Sequence, residues 1–270
     1  MNTDAIGVFD SGLGGLTAVR EMLEILPHEN IIYFGDTGRV PYGSKSRDTI
    51  SRYALQDARF LKSRGVKFIV AACGTVSSVA PDLSDELSLP YTGVVHPTCY
   101  TAMERTVTGR IGVIGTTATI SSHSYKNRIE LKQPSFKVYE QDCPLFVPLV
   151  ENGMTDTDDE IVSKIVERYL HGLREKDVDT IILGCTHYPL LSDAIRAYMG
   201  DDVALIDSGK ETALYTAKLL QEYGLLSDSS APASAEFYVS DTPADFEKYA
   251  GIFLRRNINN SVSRINIEEY

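Results

Sequence analysis

Short apolar runs rich in β-branched residues alternate with longer stretches of helical spacing along most of this 270-residue chain. The runs cover residues 6–9, 31–34, 68–72, 93–95, 111–114, 138–139, 181–183, 204–206 and 237–239. Most are apolar on consecutive positions, which is typical of parallel strands covered by helices on both faces. Strands alternating with helices predict βαβ units, and therefore an α/β fold with mainly parallel sheets.

The order of the runs repeats within the chain. The run at 6–9 resembles the run at 111–114, and the run ending at Cys73 resembles the run ending at Cys185. The offset between matching segments increases slowly, as expected when the second copy carries a few inserted residues. The repeat predicts two similar doubly wound domains related by a pseudo-two-fold axis. Because ligands of such folds bind beyond the carboxyl ends of the strands, we expect the active site in the cleft between them.

The charge balance excludes several classes of partner. The chain has 26 Lys and Arg against 37 Asp and Glu, a formal net charge of −11. Nucleic-acid binding usually needs a basic stripe, and docking on an anionic membrane needs basic clusters, so neither partner is expected. No run approaches the ~20 apolar residues of a membrane span, and no basic-then-apolar signal segment is visible. We therefore expect a cytoplasmic protein whose four cysteines are free thiols.

Cys73 and Cys185 occupy equivalent positions in the repeat, each after a predicted buried strand. If the two strand ends face each other, a small ligand held between them presents one face to each thiol. Two thiols on opposite faces of one carbon can remove a proton on one side and return it on the other, which inverts that carbon. We expect a helix N-terminus to lower the pKa of each thiol. Cys99 and Cys143 are interpreted as buried apolar side chains.

Three titratable residues could tune these thiols, since general acids and bases work best with a pKa near the operating pH. Asp10 ends the first strand, His187 follows Cys185 by two residues, and Glu151 lies in a segment before a glycine. Each also has a plainer interpretation. Asp10 and His187 could cap the turn or helix that follows them, and Glu151 could be an ordinary loop carboxylate.

No cofactor signature is present in the sequence. The glycine-rich segment 12–15 does not have the G-x-G-x-x-G spacing, and Asp10 would place a negative charge where a phosphate should bind. A phosphate-binding G-x-x-x-x-G-K-[ST] loop is also missing, and neither a pyridoxal-type lysine nor a metal cluster stands out. The sequence therefore predicts chemistry without a cofactor or a metal.

Several motifs, in this order, resemble the glutamate racemases of the cofactor-independent aspartate/glutamate racemase superfamily. They are Asp10-Ser11-Gly12-Leu13-Gly14-Gly15-Leu16-Thr17, Pro41-Tyr42-Gly43, Ala72-Cys73 with Thr75, Gly184-Cys185-Thr186-His187-Tyr188-Pro189-Leu190, and Phe237-Tyr238-Val239-Ser240-Asp241. The resemblance runs from about residue 6 to about residue 253, nearly the whole chain. It implies two α/β domains, one formed by residues 1–96 and 208–270 and the other by residues 97–207.

The resemblance also implies a function and a set of roles. The function is cofactor-free interconversion of L- and D-glutamate by a homodimer, supplying D-glutamate for peptidoglycan. By matching position, Cys73 would take the α-proton from D-glutamate and Cys185 from L-glutamate, and other side chains would assist the thiols. The assisting residues would be Asp10, Glu151 and His187. The residues implied to bind substrate are Asp10, Ser11, Tyr42, Gly43, Gly74, Thr75, Thr117, Thr186 and His187.

One position departs from the family's pattern. The family usually has Cys-Asn-Thr where this chain has Cys73-Gly74-Thr75, so Gly74 offers only its backbone N–H to a substrate. We expect Gly74→Asn to leave the enzyme active and to change the Michaelis constant more than the fold.

The acidic composition constrains how a dianionic substrate is held. Since the net charge is −11, we expect backbone amides at helix N-termini and hydroxyl groups to bind the carboxylates, with few or no Lys or Arg contacts. Three alternatives remain open at this point: a racemase of aspartate or a related acid, a non-catalytic binding or regulatory protein on the same scaffold, and a lyase or decarboxylase of similar fold. The last usually employs one cysteine, and a binding protein needs neither, so the presence of both cysteines disfavours these two.

Overall fold

The computed structural model describes residues 4–80, 82–256, 258 and 262–270. Within them the ten strands are β1 (Ile6–Asp10), β2 (Ile31–Gly35), β3 (Phe68–Ala71), β4 (Tyr91–Gly93), β5 (Arg110–Gly115), β6 (Lys137–Asp142), β7 (Thr180–Leu183), β8 (Ala204–Asp207), β9 (Ala235–Val239) and β10 (Val262–Arg264). They form a six-stranded sheet of order β10-β9-β2-β1-β3-β4 and a four-stranded sheet of order β6-β5-β7-β8. Every neighbouring pair in both sheets is parallel.

The helices lie between successive strands. They are α1 (Leu16–Ile25), α2 (Arg47–Ser63), α3 (Gly74–Val79), α4 (Ser84–Leu87), α5 (Val95–Arg105), α6 (Thr117–Ser121), α7 (Ser124–Lys132), α8 (Phe146–Glu151), α9 (Glu160–Glu175), α10 (Ser192–Met199), α11 (Ser208–Glu222) and α12 (Pro243–Leu254), with short 3-10 helices at Tyr42–Ser44, Tyr188–Leu191 and Ile267–Glu269. In the part of the chain with described coordinates, no helix is long and apolar enough to cross a membrane.

The two sheets share a common arrangement of four strands. The order β2-β1-β3-β4 in the first sheet is the order β6-β5-β7-β8 in the second. Ile6 of β1 pairs with Ile31 and Phe68, and Ile111 of β5 pairs with strands on both sides in the same way. The α/β fold with parallel sheets is therefore confirmed. The domain boundaries at residues 96 and 207 stay a prediction, although all strands of the second sheet lie between residues 110 and 207.

Two details of the strand prediction are wrong. The run at 93–95 was expected to be a strand, but β4 ends at Gly93, opposite the last residue of β3. The N–H of Val94 donates to the Ser77 hydroxyl at 3.1 Å instead of to a neighbouring strand, and α5 begins at Val95. The edge strand β10 was not predicted, because its three residues are partly or fully exposed and form no apolar run.

Apolar residues of the central strands are buried against the helices. All five residues of β1 and of β2 are buried, as are all four of β3 and of β7. Helix α9 packs one apolar stripe, Val162, Val166, Leu170 and Leu173, against the second sheet's core, and the Asp159 side chain caps its N-terminus by accepting from Ile161 and Val162. These buried cores fix the strand ends, which carry the residues of the site.

Candidate active site

The carboxyl ends of strands from both sheets meet at a cavity of about 330 Å³. The predicted site residues that line it are Ser11, Tyr42, Gly43, Cys73, Gly74, Thr75, Thr117, Glu151, Cys185, Thr186 and His187. They come from the segments that follow β1, β2, β3, β5 and β7, including the first residues of helices α3 and α6, and from helix α8. Residues spread over 177 positions of sequence are thus brought to one place, as the rule for doubly wound folds predicts.

Both predicted thiols lie at this cavity. Cys73 follows β3 by two residues and stands at the N-cap of α3, and Cys185 follows β7 after Gly184. Both are free thiols and are only 4% and 7% exposed. Since each comes from a different sheet, a ligand in the cavity would lie between them.

Burial and the charge of Asp10 keep the proton on Cys73, and they outweigh the opposing effect of its hydrogen bonds. Its thiol donates to the Ser11 hydroxyl at 3.7 Å. Burial raises the pKa of Cys73 to about 12, and the negative charge of Asp10 adds to the rise. This result differs from the expectation that the helix N-terminus would lower this pKa. Helix α3 has only six residues, and burial outweighs its effect.

Asp10 lies behind the cavity wall instead of lining it. Its side chain is 1% exposed, and its Oδ2 accepts the N–H of Gly12 at 3.0 Å. Among the described residues its Oδ1 has no hydrogen-bond partner. The carboxylate therefore acts on Cys73 through its charge, and a direct contact with substrate would require the wall to move.

Cys185 has a histidine as its neighbour. The Cys185 sulfur is 3.8 Å from Nδ1 of His187, and Nε2 of the same ring is 3.1 Å from Oε1 of Glu151. Burial lowers the pKa of His187, but its hydrogen bonds with Cys185 and Glu151 outweigh that effect and raise the pKa to about 10. The imidazole is therefore protonated at neutral pH. It is a cation placed to stabilise negative charge on the neighbouring sulfur.

Hydroxyl groups and helix N-termini surround the two thiols. Thr75 lies in the first turn of α3, Thr117 begins α6, and Thr186 precedes a 3-10 helix. No Lys or Arg is found among the described residues that line the cavity. Such a lining suits a carboxylate held by hydroxyls and backbone N–H groups, which is what the acidic composition predicted.

Tyr42 lines the cavity, but its hydroxyl group is hydrogen-bonded to other residues. The phenol donates to Asp36 and also to Asp57, at 3.1 Å in the second case. Arg39 binds the same two carboxylates at 2.6 and 3.0 Å. Because this buried network occupies the hydroxyl, Tyr42 can offer a substrate only its ring edge or its backbone, beside Gly43.

Ten of the described residues that line the cavity were not predicted as site residues, and Cys143 and Thr116 are the two of them that directly follow a strand. Cys143 was interpreted as a bystander, but it lines the cavity after β6, with its thiol directed to the Gln141 carbonyl at 3.8 Å. Burial raises the pKa of Cys143 well above its ordinary value. Thr116 shares a 3.0 Å hydrogen bond with Thr75 across the cavity. Each directly follows the last residue of a strand, Thr116 after β5 and Cys143 after β6, so this position was the available signal.

Metal binding is not suggested by the described side chains. No group of three or more His, Cys, Asp or Glu among them could hold a metal ion.

Comparison with known proteins points to one family. The family model "Asp/Glu/Hydantoin racemase" matches residues 6–216. A glutamate racemase of Geobacter metallireducens is 47% identical over 251 residues, 93% of this chain and 92% of that protein. The crystal structure of glutamate racemase from Francisella tularensis in complex with D-glutamate has a TM-score of 0.92 and 37% identity, and covers 100% of both chains. The glutamate racemase of Thermus thermophilus, in complex with β-chloro-D-alanine, has a TM-score of 0.89 and 40% identity, covering 100% of this chain and 99% of the other.

Proposed function

The chain belongs to the Asp/Glu/hydantoin racemase family, and on this basis we propose that it interconverts L-glutamate and D-glutamate. One observation carries the proposal: two buried thiols at equivalent strand ends, Cys73 and Cys185, line the same cavity. The names of its relatives supply the substrate, because the relatives that cover nearly the whole chain are glutamate racemases. D-glutamate made in this way would serve peptidoglycan synthesis.

The proposed reaction transfers one proton to the enzyme and one from it. In the L-to-D direction the Cys185 thiolate removes the α-proton of L-glutamate, and the Cys73 thiol donates its proton to the opposite face of the same carbon. The enzyme is left with a Cys185 thiol and a Cys73 thiolate, and exchange with water restores the first form. The D-to-L direction runs the same steps in reverse, with Cys73 as the base. No electron acceptor is needed, because only protons move.

The negative charge that develops on the α-carbon spreads into the α-carboxylate. Hydrogen-bond donors aimed at that carboxylate stabilise the transition state in a site from which water is excluded. We assign this role to the hydroxyls of Thr75, Thr117 and Thr186 and to backbone N–H groups at Ser11 and Gly74, all of which line the cavity. His187 and Glu151 stabilise the Cys185 thiolate, and Asp10 favours the protonated form of Cys73.

The experiment that tests this proposal needs no cofactor. The purified chain is incubated with L-glutamate, D-glutamate or L-aspartate, and optical rotation is followed with time. We expect racemisation of both glutamate enantiomers and much slower change with L-aspartate. Cys73→Ala and Cys185→Ala should each lower the racemisation rate by about 10²–10⁴-fold, the usual contribution of a general acid or base. Cys99→Ala is the matched control, since Cys99 is buried but does not line the cavity.

Two outcomes would contradict the proposal. Full turnover by either single cysteine variant would exclude the two-thiol mechanism. A wild-type chain that racemises aspartate and leaves glutamate unchanged would shift the substrate to the other amino acid.

We also propose that the enzyme is a homodimer in the cytoplasm. The resemblance to the family supports the dimer, and four free, buried thiols support a reducing compartment. Light scattering after size-exclusion chromatography tests the first point, with a monomer at all concentrations as the contradicting result. Fractionation of the source cells tests the second, and recovery of the protein outside the cytoplasm would contradict it.

A further inference from the structure

Three glycines of the first sheet's loops lie where the loops of the second sheet come closest. A Cβ at Gly14 would lie 2.1 Å from the Thr186 hydroxyl, and one at Gly43 would lie 2.8 Å from Cβ of Thr116. At Gly74 it would lie 2.1 Å from a backbone atom, the carbonyl oxygen of Gly184. The Thr186 hydroxyl can rotate away, whereas Cβ of Thr116 and the Gly184 carbonyl are fixed by the backbone. The shorter of these two fixed contacts is at Gly74, which is therefore the most tightly constrained of the three.

The contact at Gly74 joins the two segments that carry the thiols. Gly74 directly follows Cys73, and Gly184 directly precedes Cys185. A Cβ at residue 74 would also lie 3.6 Å from the Cα of Cys185 itself. The two backbones therefore touch with no side chain between them, and this contact lies between the two segments that carry the sulfurs.

Other bonds hold the same junction together. Thr75 and Thr116 share a hydrogen bond of 3.0 Å, and the Thr17 hydroxyl donates to the Thr186 carbonyl at 3.1 Å. Ordinary van der Waals contact begins at 3.4 Å, so any side chain at residue 74 must move the two segments apart by about 1 Å. The expectation that Gly74→Asn leaves the enzyme active and changes the Michaelis constant more than the fold stays a prediction, and this close contact argues against it.

We propose that Gly74 is a positioning residue, which keeps Cys73 and Cys185 close enough to reach the two faces of one α-carbon. The inference rests on the proposed racemisation and goes beyond it, because it concerns the spacing of the thiols and not their identity. In this chain the contact occupies the place where the family usually carries an asparagine side chain. The spacing is thus achieved here by direct contact between backbones.

The first test uses Gly74→Ala, the smallest change that introduces a Cβ. Its control is Gly172→Ala, because Gly172 lies in α9 and nothing lies within 4 Å of a Cβ built there. Both variants are assayed in D₂O with each glutamate enantiomer for inversion and for α-proton exchange with retention. We expect Gly74→Ala to lose about 10²-fold in kcat for inversion, as a 1 Å misplacement can cause, with a smaller change in KM.

The ratio of α-proton exchange to inversion distinguishes a loss of thiol positioning from a general loss of activity. When the second thiol is out of reach, the first thiol exchanges the removed proton with D₂O and then returns a deuteron to the face from which it took the proton. The ratio of exchange with retention to inversion should therefore rise in Gly74→Ala and stay at the wild-type value in Gly172→Ala. An unchanged ratio together with an unchanged kcat in Gly74→Ala would overturn the proposal.

The second test measures the spacing without glutamate. A series of bis-alkylating reagents of increasing spacer length is applied to the wild-type chain, and the Cys73–Cys185 link is quantified by peptide mass spectrometry. We expect the shortest reagents to link wild type and Gly172→Ala best, and the optimum to move to a longer spacer in Gly74→Ala. A wild-type chain that no short reagent links would overturn the proposal, even if Gly74→Ala fails to fold.

The outcomes of the two tests distinguish an error in the proposed function from an error in the proposed role of Gly74. If the linking pattern is as expected but wild type does not act on glutamate, the proposed function is wrong and the positioning role stands. If wild type racemises glutamate while linking and partition are the same in both glycine variants, the positioning role alone is wrong.

Discussion

The two sides of the cavity carry the same thiol in opposite electrostatic surroundings. Burial raises the pKa of Cys73 to about 12, and the charge of the buried Asp10 carboxylate adds to the rise. Cys185 is 3.8 Å from His187, whose own pKa is raised to about 10 by hydrogen bonds that outweigh its burial. The sheets place the sulfurs equivalently, but the residues next to them make the two thiols unequal. The proton therefore stays on Cys73 at neutral pH, whereas a cation lies beside the other sulfur.

This inequality has a thermodynamic limit. L- and D-glutamate have the same free energy in water, so the values of kcat/KM in the two directions must be equal. The difference between the surroundings of Cys73 and those of Cys185 can appear only in the separate kcat and KM values and in how activity and stability depend on pH. The predictions below use this limit to test whether the two sides differ as described.

The largest effect is expected from removing the cation beside Cys185. His187→Asn should lower kcat/KM by about 10²-fold in both directions, because the Cys185 thiolate loses its charged neighbour. His171→Asn is the control, since His171 lies on the exposed face of α9 and its side chain is 62% exposed. Steady-state kinetics in both directions measure the effect. A His187→Asn enzyme as active as His171→Asn would show that the imidazole does not support the thiolate.

The pH dependence of stability separates the two sides. The pKa of His187 rises on folding from about 6.5 to about 10, so its contribution is complete below pH 6.5 and is lost as the pH rises to about 10. The pKa of Cys73 rises from about 9 to about 12, so its contribution is complete below pH 9 and is lost between pH 9 and 12. Of these two groups only the histidine titrates between pH 7 and pH 9, so it should lower the free energy of unfolding there by up to about 1.4 kcal/mol per pH unit.

Urea unfolding of variants at several pH values tests this difference. His187→Asn should lose the histidine's part of the slope between pH 7 and pH 9, and Cys73→Ala should keep it. Equal slopes in the two variants would mean that the thiol and the imidazole do not titrate in separate windows.

The smallest effect is expected from Glu151, which contacts His187 and not Cys185 itself. Glu151→Gln removes the charge that pairs with His187, but the Glu151 side chain is 45% exposed, and pairs this open contribute about 0–1 kcal/mol. We expect kcat/KM to fall by a factor of about two to five. Glu160→Gln is the control, because Glu160 forms an exposed ion pair with Lys164 on α9. A loss as large as that of His187→Asn would show that Glu151 contributes more than charge pairing.

Much of the fold and the residue types of the site could be predicted from the sequence. Consecutive apolar positions mark the strands, and the repeat predicts the shared strand order, since both depend on short stretches of chain. The residues after β3 and β7 are visible as strand ends, so Cys73 and Cys185 could be paired before their positions were known. The carboxylate-binding character of the lining follows from hydroxyls at several strand ends.

Other features depend on packing between distant segments and leave no local pattern. The place of Cys143 in the cavity depends on how β6 approaches β7 through β5. The contact of Gly74 with Gly184 joins residues 110 positions apart. The pKa of Cys73 was predicted in the wrong direction, because the helix that follows it is visible in the sequence whereas the burial of its thiol beside Asp10 is not.

The central claim is that each thiol serves one face of the substrate. It is tested most directly by incubating wild-type protein with L-glutamate in D₂O, stopping the reaction early, and measuring deuterium at the α-carbon of each enantiomer by mass spectrometry. Because Cys185 would remove the proton and Cys73 would deliver a solvent-exchanged deuteron, the account predicts deuterium in the D-glutamate formed and almost none in the remaining L-glutamate. Equal deuterium in both enantiomers from the earliest times would mean that one group serves both faces, and would contradict it.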